Sequence, residues 1–163
     1  MIEVLVTIVL LSVGLMGLAA LQSRGGVVAI EAAQRTHALL LAQDMLERMR
    51  ANKPEAPAYA GSDYGTGVVA ACSSIPGVDR DRCQWSAALA GAGEAIGGRL
   101  AGMLLSGRGC VQFDTAGTAV VIVAWQGLSA TMEPALDCGR GAYADERMRR
   151  TIALSASLPP LTP

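Results

Sequence analysis

Cys72, Cys83, Cys110 and Cys138 are the residues best suited to covalent chemistry in this chain of 163 residues. No two of them form a Cys-x-x-Cys pair, the close spacing that zinc sites and redox-active dithiols generally use. All four follow the apolar stretch that opens the chain, so they share one side of any membrane it crosses. An even number there points to disulfides in an oxidising compartment, with free thiols as the alternative. Four cysteines allow three connectivities, and sequence does not choose among them. The expected arrangement joins sequence neighbours, Cys72 to Cys83 and Cys110 to Cys138. Loop closures of this size are worth about 2–4 kcal/mol, a large share of a small domain's stability.

The other reactive residues form no constellation. The lone histidine, His37, stands between Thr36 and Ala38, where no motif supplies a Ser or Cys partner, so a structural or solvent-facing role is expected. Carboxylates at Asp63, Asp79, Asp81, Glu94, Asp114, Glu133, Asp137, Asp145 and Glu146 make no metal loop, and Asp79 and Asp81 lack the remaining ligands of a calcium site. Glycine-rich phosphate motifs are absent; Gly107-Arg108-Gly109-Cys110 reads as a turn. No catalytic residue, metal site or cofactor is expected. The formal net charge of −1 argues against a nucleic-acid partner. Glu146 to Arg150 is a small basic cluster that reads as a solvated face before a strand, with a protein contact as the alternative.

Hydropathy then shows what must carry these residues. Hydrophobic residues make up 52% of the chain, aromatics only 4%, and mean hydropathy is +0.38. The excess lies at the start. Val4 to Leu21 is a continuous apolar run with only Thr7 and Ser12 mildly polar, about long enough to cross a bilayer as a helix. No Lys or Arg precedes it and the first, Arg24, follows it, unlike the basic n-region of a cleaved signal peptide. Glu3 opens the run. Its carboxylate either faces headgroups, favoured by the helix dipole, or is held among apolar groups and awaits a cation, since an unpaired buried carboxylate is costly.

Residues 24–52 continue as an amphipathic helix. Val28, Ala32, Leu39, Ala42, Leu46 and Met49 recur at steps of three and four, with Arg35 interrupting and Leu41 and Met45 flanking the stripe, and Pro54 and Pro57 end it. A single helix would approach 75 Å at about 1.5 Å per residue. Gly14, Gly17, Gly25 and Gly26 either bend it or admit close packing of neighbouring helices. Residues 53–109 form a connecting region. Asp81 and Gln84 fit a capping box of a short helix that turns Trp85 and Leu89 inward. A second helical piece is expected from Glu94 to Leu105. Residues 110–158 read as an antiparallel sheet. Its strands run from Cys110 to Asp114, from Thr118 to Gln126 and from Thr151 to Leu158, with a hairpin turn at Thr115–Gly117 and a long loop over Gly127–Met148. In the last strand Ile152, Leu154, Ala156 and Leu158 face the long helix.

The opening MIEVLVTIVLLSVGLMGLAALQ resembles the N-terminus of type IV pilins and type II secretion pseudopilins. In that family a short basic leader ends in Gly, and a glutamate stands at the fifth mature position. The segments GRGCV, VVIVAWQG and RMRRTIALSASL resemble the C-terminal half of minor pilins of the PilV type. The resemblance implies an α+β, type IV pilin-like fold, with a long N-terminal helix, half transmembrane and half amphipathic, packed on a small C-terminal antiparallel β-sheet. It implies an assembly and membrane helix over 1–23 and a periplasmic head over 24–163. It implies that Glu3 pairs with the N-terminal amine of a neighbouring subunit. Met1 aligns with the third mature position, so the leader and two mature residues stand outside this sequence. The implied partners are other minor pilins, the major pilin, the inner-membrane assembly platform, the lipid bilayer, and a prepilin peptidase acting on the full-length precursor. The implied function is a minor pilin that helps prime a type IV pilus and enters it. A type II secretion pseudopilin and a single-pass membrane-anchored periplasmic binding protein are the alternatives.

Overall fold

A computed structural model describes residues 2–67, 71–96, 99–100 and 102–158. The chain divides into two units, one ending at Ala33 and one beginning at Gln34. Helix α1, Ile2–Ala51, contributes to both.

In the first unit every side chain from Ile2 to Ile30 is exposed. Apolar residues fill the whole circumference here, so no single stripe exists for another element to cover. The backbone satisfies its own hydrogen bonds, as a helix must in hydrocarbon. The two mild polar groups do likewise: the Thr7 hydroxyl donates to Val4 O at 2.9 Å and the Ser12 hydroxyl to Ile8 O at 2.7 Å. The helix runs unbroken through Gly14, Gly17, Gly25 and Gly26.

In the second unit the rest of α1 buries one stripe: Gln34, Ala38, Leu41, Ala42, Met45, Leu46 and Met49. This stripe is rotated from the one the periodicity predicts. Val28 and Ala32 are exposed, Leu39 is half-buried, and Leu41 and Met45 lie at its centre. From Ala38 to Ala42 every residue is apolar, so spacing left the facing side open and packing chose it. After a 3-10 segment, Lys53–Tyr59, comes strand β1, Gly61–Tyr64. Its sequence, Gly-Ser-Asp-Tyr, has no apolar alternation and gave no strand signal. Helix α2, Gly77–Leu89, buries Trp85 and Leu89. Its N-cap is Pro76, so Asp81 is no cap. The Asp81 carboxylate instead accepts from Arg48 at 3.1 Å and from Tyr59 at 2.6 Å, tying α2 to α1.

The helix expected over Glu94–Leu105 does not form. A 3-10 turn, Ala92–Glu94, leads to a two-residue hairpin of β2, Ala95–Ile96, and β3, Arg99–Leu100. Gly97 and Gly98, within that stretch, lie outside the described residues. Gly102 approaches the backbone of Gly91 so closely that an added Cβ would stand 2.5 Å from its Cα.

Strands β4, Arg108–Phe113, β5, Thr118–Gln126, and β6, Arg149–Ser157, complete an antiparallel sheet of order β1-β4-β5-β6. Asp114 closes the β4–β5 turn by accepting the Thr118 N–H at 2.7 Å, and that bond holds its carboxyl below the usual range. Both faces of the central strands are covered. Val111, Val121, Val123 and Trp125 meet the buried stripe of α1 and the inner face of α2. Cys110, Ile122, Ala124 and Cys138 form a second cluster on the opposite face. That two-sided burial explains why β5 reads as a nearly unbroken apolar run.

Gly109 lies under the Trp85 ring. A Cβ there would sit 2.3 Å from the indole and 2.6 Å from Leu89. Gly109→Ala is expected to destabilise the head by about 1–3 kcal/mol, read as a lower denaturation midpoint of the Trp85 fluorescence.

Candidate functional site

The apolar helix and its single acid come first. Over an 18-residue window α1 has mean hydropathy 2.6, and none of that window is buried. It is the one helix among the described residues long and apolar enough to cross a membrane. Such a surface is far larger than a soluble domain leaves bare, so hydrocarbon or other helices must cover it. Glu3 occupies the first turn, where unpaired N–H groups and the helix dipole favour a carboxylate. Should that end be covered, the carboxylate would need a cation or hydrogen bonds to offset its desolvation.

The four cysteines sit in the head, in two pairs. Cys72 bonds Cys83, joining the 3-10 turn Cys72–Ser74 to α2, with Cα atoms 5.7 Å apart. Cys110 bonds Cys138, joining β4 to the loop between β5 and β6, with Cα atoms 5.8 Å apart. Both pairs are staples over segments that contribute little core of their own.

Arg149 corrects the reading of the basic cluster as a solvated face. Its side chain is 1% exposed. Its guanidinium donates to the carbonyls of Leu136, Cys138 and Pro134, and its Nε to the Glu146 carboxylate at 2.5 Å. One fork of donors thereby gathers three carbonyls of the loop around Cys138, a task for which arginine's planar geometry suits it. Arg147 and Arg150 differ: Arg147 pairs with Asp145 at the surface, and Arg150 donates to Ser129 O. A signal was present. Ile152 and Leu154 face the helix, so alternation sends position 149 to the opposite face, which the stapled loop covers. Tyr143 adds to that cover. It donates to Ser106 O at 3.0 Å, and burial pushes its pKa up to about 12.

The remaining candidates do not converge. His37 lines a groove of ≈ 340 Å³ with Leu41, Gln84, Ala88 and the Cys72 turn, and its Nδ1 has no partner. A second groove, ≈ 580 Å³, lies between Pro54, Pro57, Phe113 and Leu158. Among the described residues no three His, Cys, Asp or Glu stand close enough to hold a metal. The carboxylates of Asp79, Asp137 and Asp145 pair with neighbouring arginines.

A family model described as Type IV pilin Tt1218 matches residues 20–85. The match supports the type IV pilin superfamily, and the architecture is the α+β, type IV pilin-like one: an apolar N-terminal helix and a small four-stranded antiparallel sheet. The matched stretch holds the second half of α1, β1, the Cys72–Cys83 bridge and α2 as far as Trp85. No curated protein and no solved structure matches.

Two tests bear on the stapled loop. Arg149→Met leaves three carbonyls without their donor and is expected to cost about 3 kcal/mol, with faster amide exchange confined to residues 134–148. The Glu146 carboxyl is held below the usual range, first by the Arg149 guanidinium and then by the Gly141 N–H. A depressed folded-state pKa adds stability above the ordinary glutamate range and loses it as pH falls through the folded value. Acidification below about pH 4 is therefore expected to loosen this loop in the native chain, while Arg149→Met should show little further change.

Proposed function

We propose that this chain is a minor pilin of the PilV type, which helps prime assembly of a type IV pilus and is then incorporated into it. One observation carries the reading. Residues 2–21 form a helix that is apolar on every side, is left exposed by the described residues, and opens on a single carboxylate, Glu3. The match to a type IV pilin model, which runs from that helix into the head, supports it.

Before assembly, residues 1–23 lie in the bacterial inner membrane and the head, 24–163, lies in the periplasm, where its disulfides form. Entry into the filament exchanges lipid for the helices of other minor pilins and the major pilin. Lipid tails are as apolar as leucine, so that exchange gains little hydrophobic energy, and packing and charge must decide it. Glu3 supplies the charge. Taken into an apolar bundle, its carboxylate pairs with the N-terminal amine of a neighbour and so sets the axial register of the incoming subunit. The inner-membrane assembly platform receives the subunit once prepilin peptidase has processed its precursor. The head carries no reaction in this account. Its disulfides and the Arg149 clasp give it a fixed surface to present at the cell exterior.

A pseudopilin of a type II secretion system would use the same helix. The segments Val120–Gly127 and Arg147–Leu158 favour the pilus reading through their PilV-type resemblance.

Glu3→Ala in the full-length precursor tests the proposal, by recovery of the subunit in sheared pili and a count of pili. The subunit is expected to accumulate in the membrane and pili to fall several-fold. Unchanged piliation and incorporation would leave Glu3 a helix-end charge and favour the single-pass binding protein.

A further inference from the structure

The two disulfides of the head lie in different surroundings. Cys110 and Cys138 are each 4% exposed and pack with Ile122 and Ala124. The Cys110 sulfur lies 3.7 Å from Ser62 O, and the Cys138 sulfur 3.7 Å from Ile122 O. A groove of ≈ 500 Å³ passes this bridge, yet both of its residues are closed to solvent. The Arg149 guanidinium also holds the carbonyl of Cys138, so the loop has a second tie that does not depend on sulfur.

Cys72 and Cys83 are both half-buried. Cys72 opens a 3-10 turn that buries none of its own residues. The backbone bond of that turn, from the Ile75 N–H to Cys72 O at 3.4 Å, is local, and the bridge to Cys83 links it covalently to α2. Cys72 lines the ≈ 340 Å³ groove beside Leu41, Gln84 and Ala88. Cys83 follows Arg80 by three positions in α2, on the same side of the helix. Asp79, four positions before Cys83, is paired with Arg82. A guanidinium one turn away favours a thiolate at Cys83. Exchange requires a thiolate to reach a bridging sulfur, and it is faster when the departing sulfur forms a stable thiolate. Cys72 meets the first condition and Cys83 the second.

We propose that Cys72–Cys83 is a thiol–disulfide exchange site, attacked at Cys72 by a small thiol that enters the groove, while Cys110–Cys138 is shielded. The incoming thiolate forms a bond to Cys72 Sγ. The bond between Cys72 Sγ and Cys83 Sγ breaks, and Cys83 leaves as a thiolate that takes a proton from solvent. A second thiolate then attacks the small-molecule sulfur of the mixed disulfide. Cys72 leaves as a thiolate and is protonated in turn, and the two small thiols depart joined as their disulfide. Two thiols are thereby oxidised and one bridge is reduced, with no other oxidant or reductant. After the first step alone, Cys72 carries the thiol as a covalent modification. Opening the bridge frees the turn that walls the groove. The main core is untouched, because neither Cys72 nor Cys83 belongs to it. The site uses the head alone and does not depend on Glu3 or on the pilin reading.

The test exposes the full chain, folded in detergent micelles, to reduced glutathione, then quenches with acid, alkylates the free thiols and maps them by peptide mass spectrometry. Cys72–Cys83 is expected to open at least tenfold faster than Cys110–Cys138, with glutathione found on Cys72. In the singly opened chain, amide exchange is expected to quicken over residues 72–75 and to stay unchanged over 134–148. Cys83→Ser leaves Cys72 as a lone thiol, which is expected to take up glutathione from its oxidised form without any bridge being cut first. Equal rates at the two bridges, as when the whole head unfolds before either reacts, would overturn the proposal. So would earlier opening of Cys110–Cys138, glutathione carried on Cys83 in place of Cys72, or a Cys83→Ser chain whose Cys72 takes up none.

Discussion

The indole of Trp85 joins four elements of the head at one point. It is fully buried, donates its N–H to Leu41 O at 2.8 Å, and meets the edge of Tyr64 with ring centroids 4.9 Å apart. Leu41 belongs to α1, Trp85 to α2 and Tyr64 to β1, and the ring rests on Gly109 of β4. Aromatics are few in this chain, so the burial energy a large ring supplies is concentrated here. Around it the core is built mostly from Ala, Val, Leu and Met side chains, with Tyr59 and Trp125 as the other large members. The glycine beneath the ring belongs to the same constraint: β4 can approach α2 because position 109 has no side chain.

The second constraint is that the central strands are apolar on both faces. Helices α1 and α2 cover one face, and the other needs a cover that the segment between β5 and β6 must supply. That segment has no helix or strand long enough to hold itself in place. It is fixed instead by a covalent bond, Cys110–Cys138, and by an ionic fork, Arg149, which binds the carbonyls of Pro134, Leu136 and Cys138 itself. The two devices differ in their vulnerability. The disulfide answers to redox conditions and the fork to acid, through Glu146. The result is a head whose loop surface is held in one shape without a large core.

The first unit is opposite in character. Residues 2–33 form no core at all, and the apolar surface they expose is the driving force for whatever covers them. A chain of this design completes its folding energetics only when hydrocarbon or other helices cover that surface. Glu3 is one charged exception at the start of that surface.

The apolar run from Val4 to Leu21, the amphipathic continuation, the strand at Thr118–Gln126 and the alternation of the last strand were legible in the sequence. Each is a local pattern that needs no knowledge of its neighbours. The resemblance rested on the two ends of the chain, whereas the family match falls on residues 20–85, a stretch whose connecting half carries little periodicity. What sequence alone could not decide was always a question of which groups meet. The stripe of α1 rotated because Leu39, Leu40 and Leu41 are chemically alike and only the sheet distinguishes them. β1 formed because β4 offered it an edge, not because Gly-Ser-Asp-Tyr favours a strand. The helix expected at Glu94–Leu105 gave way because Gly91 and Gly102 allow two backbones to touch. Asp81 left a capping role to bind Arg48 and Tyr59, and Arg149 left the surface to serve carbonyls up to fifteen residues away in sequence. Local propensity and hydropathy therefore determined that there is a membrane-length helix and a small sheet. Tertiary packing determined which faces they share, because burial and hydrogen bonding are satisfied between segments and no single segment encodes its partner.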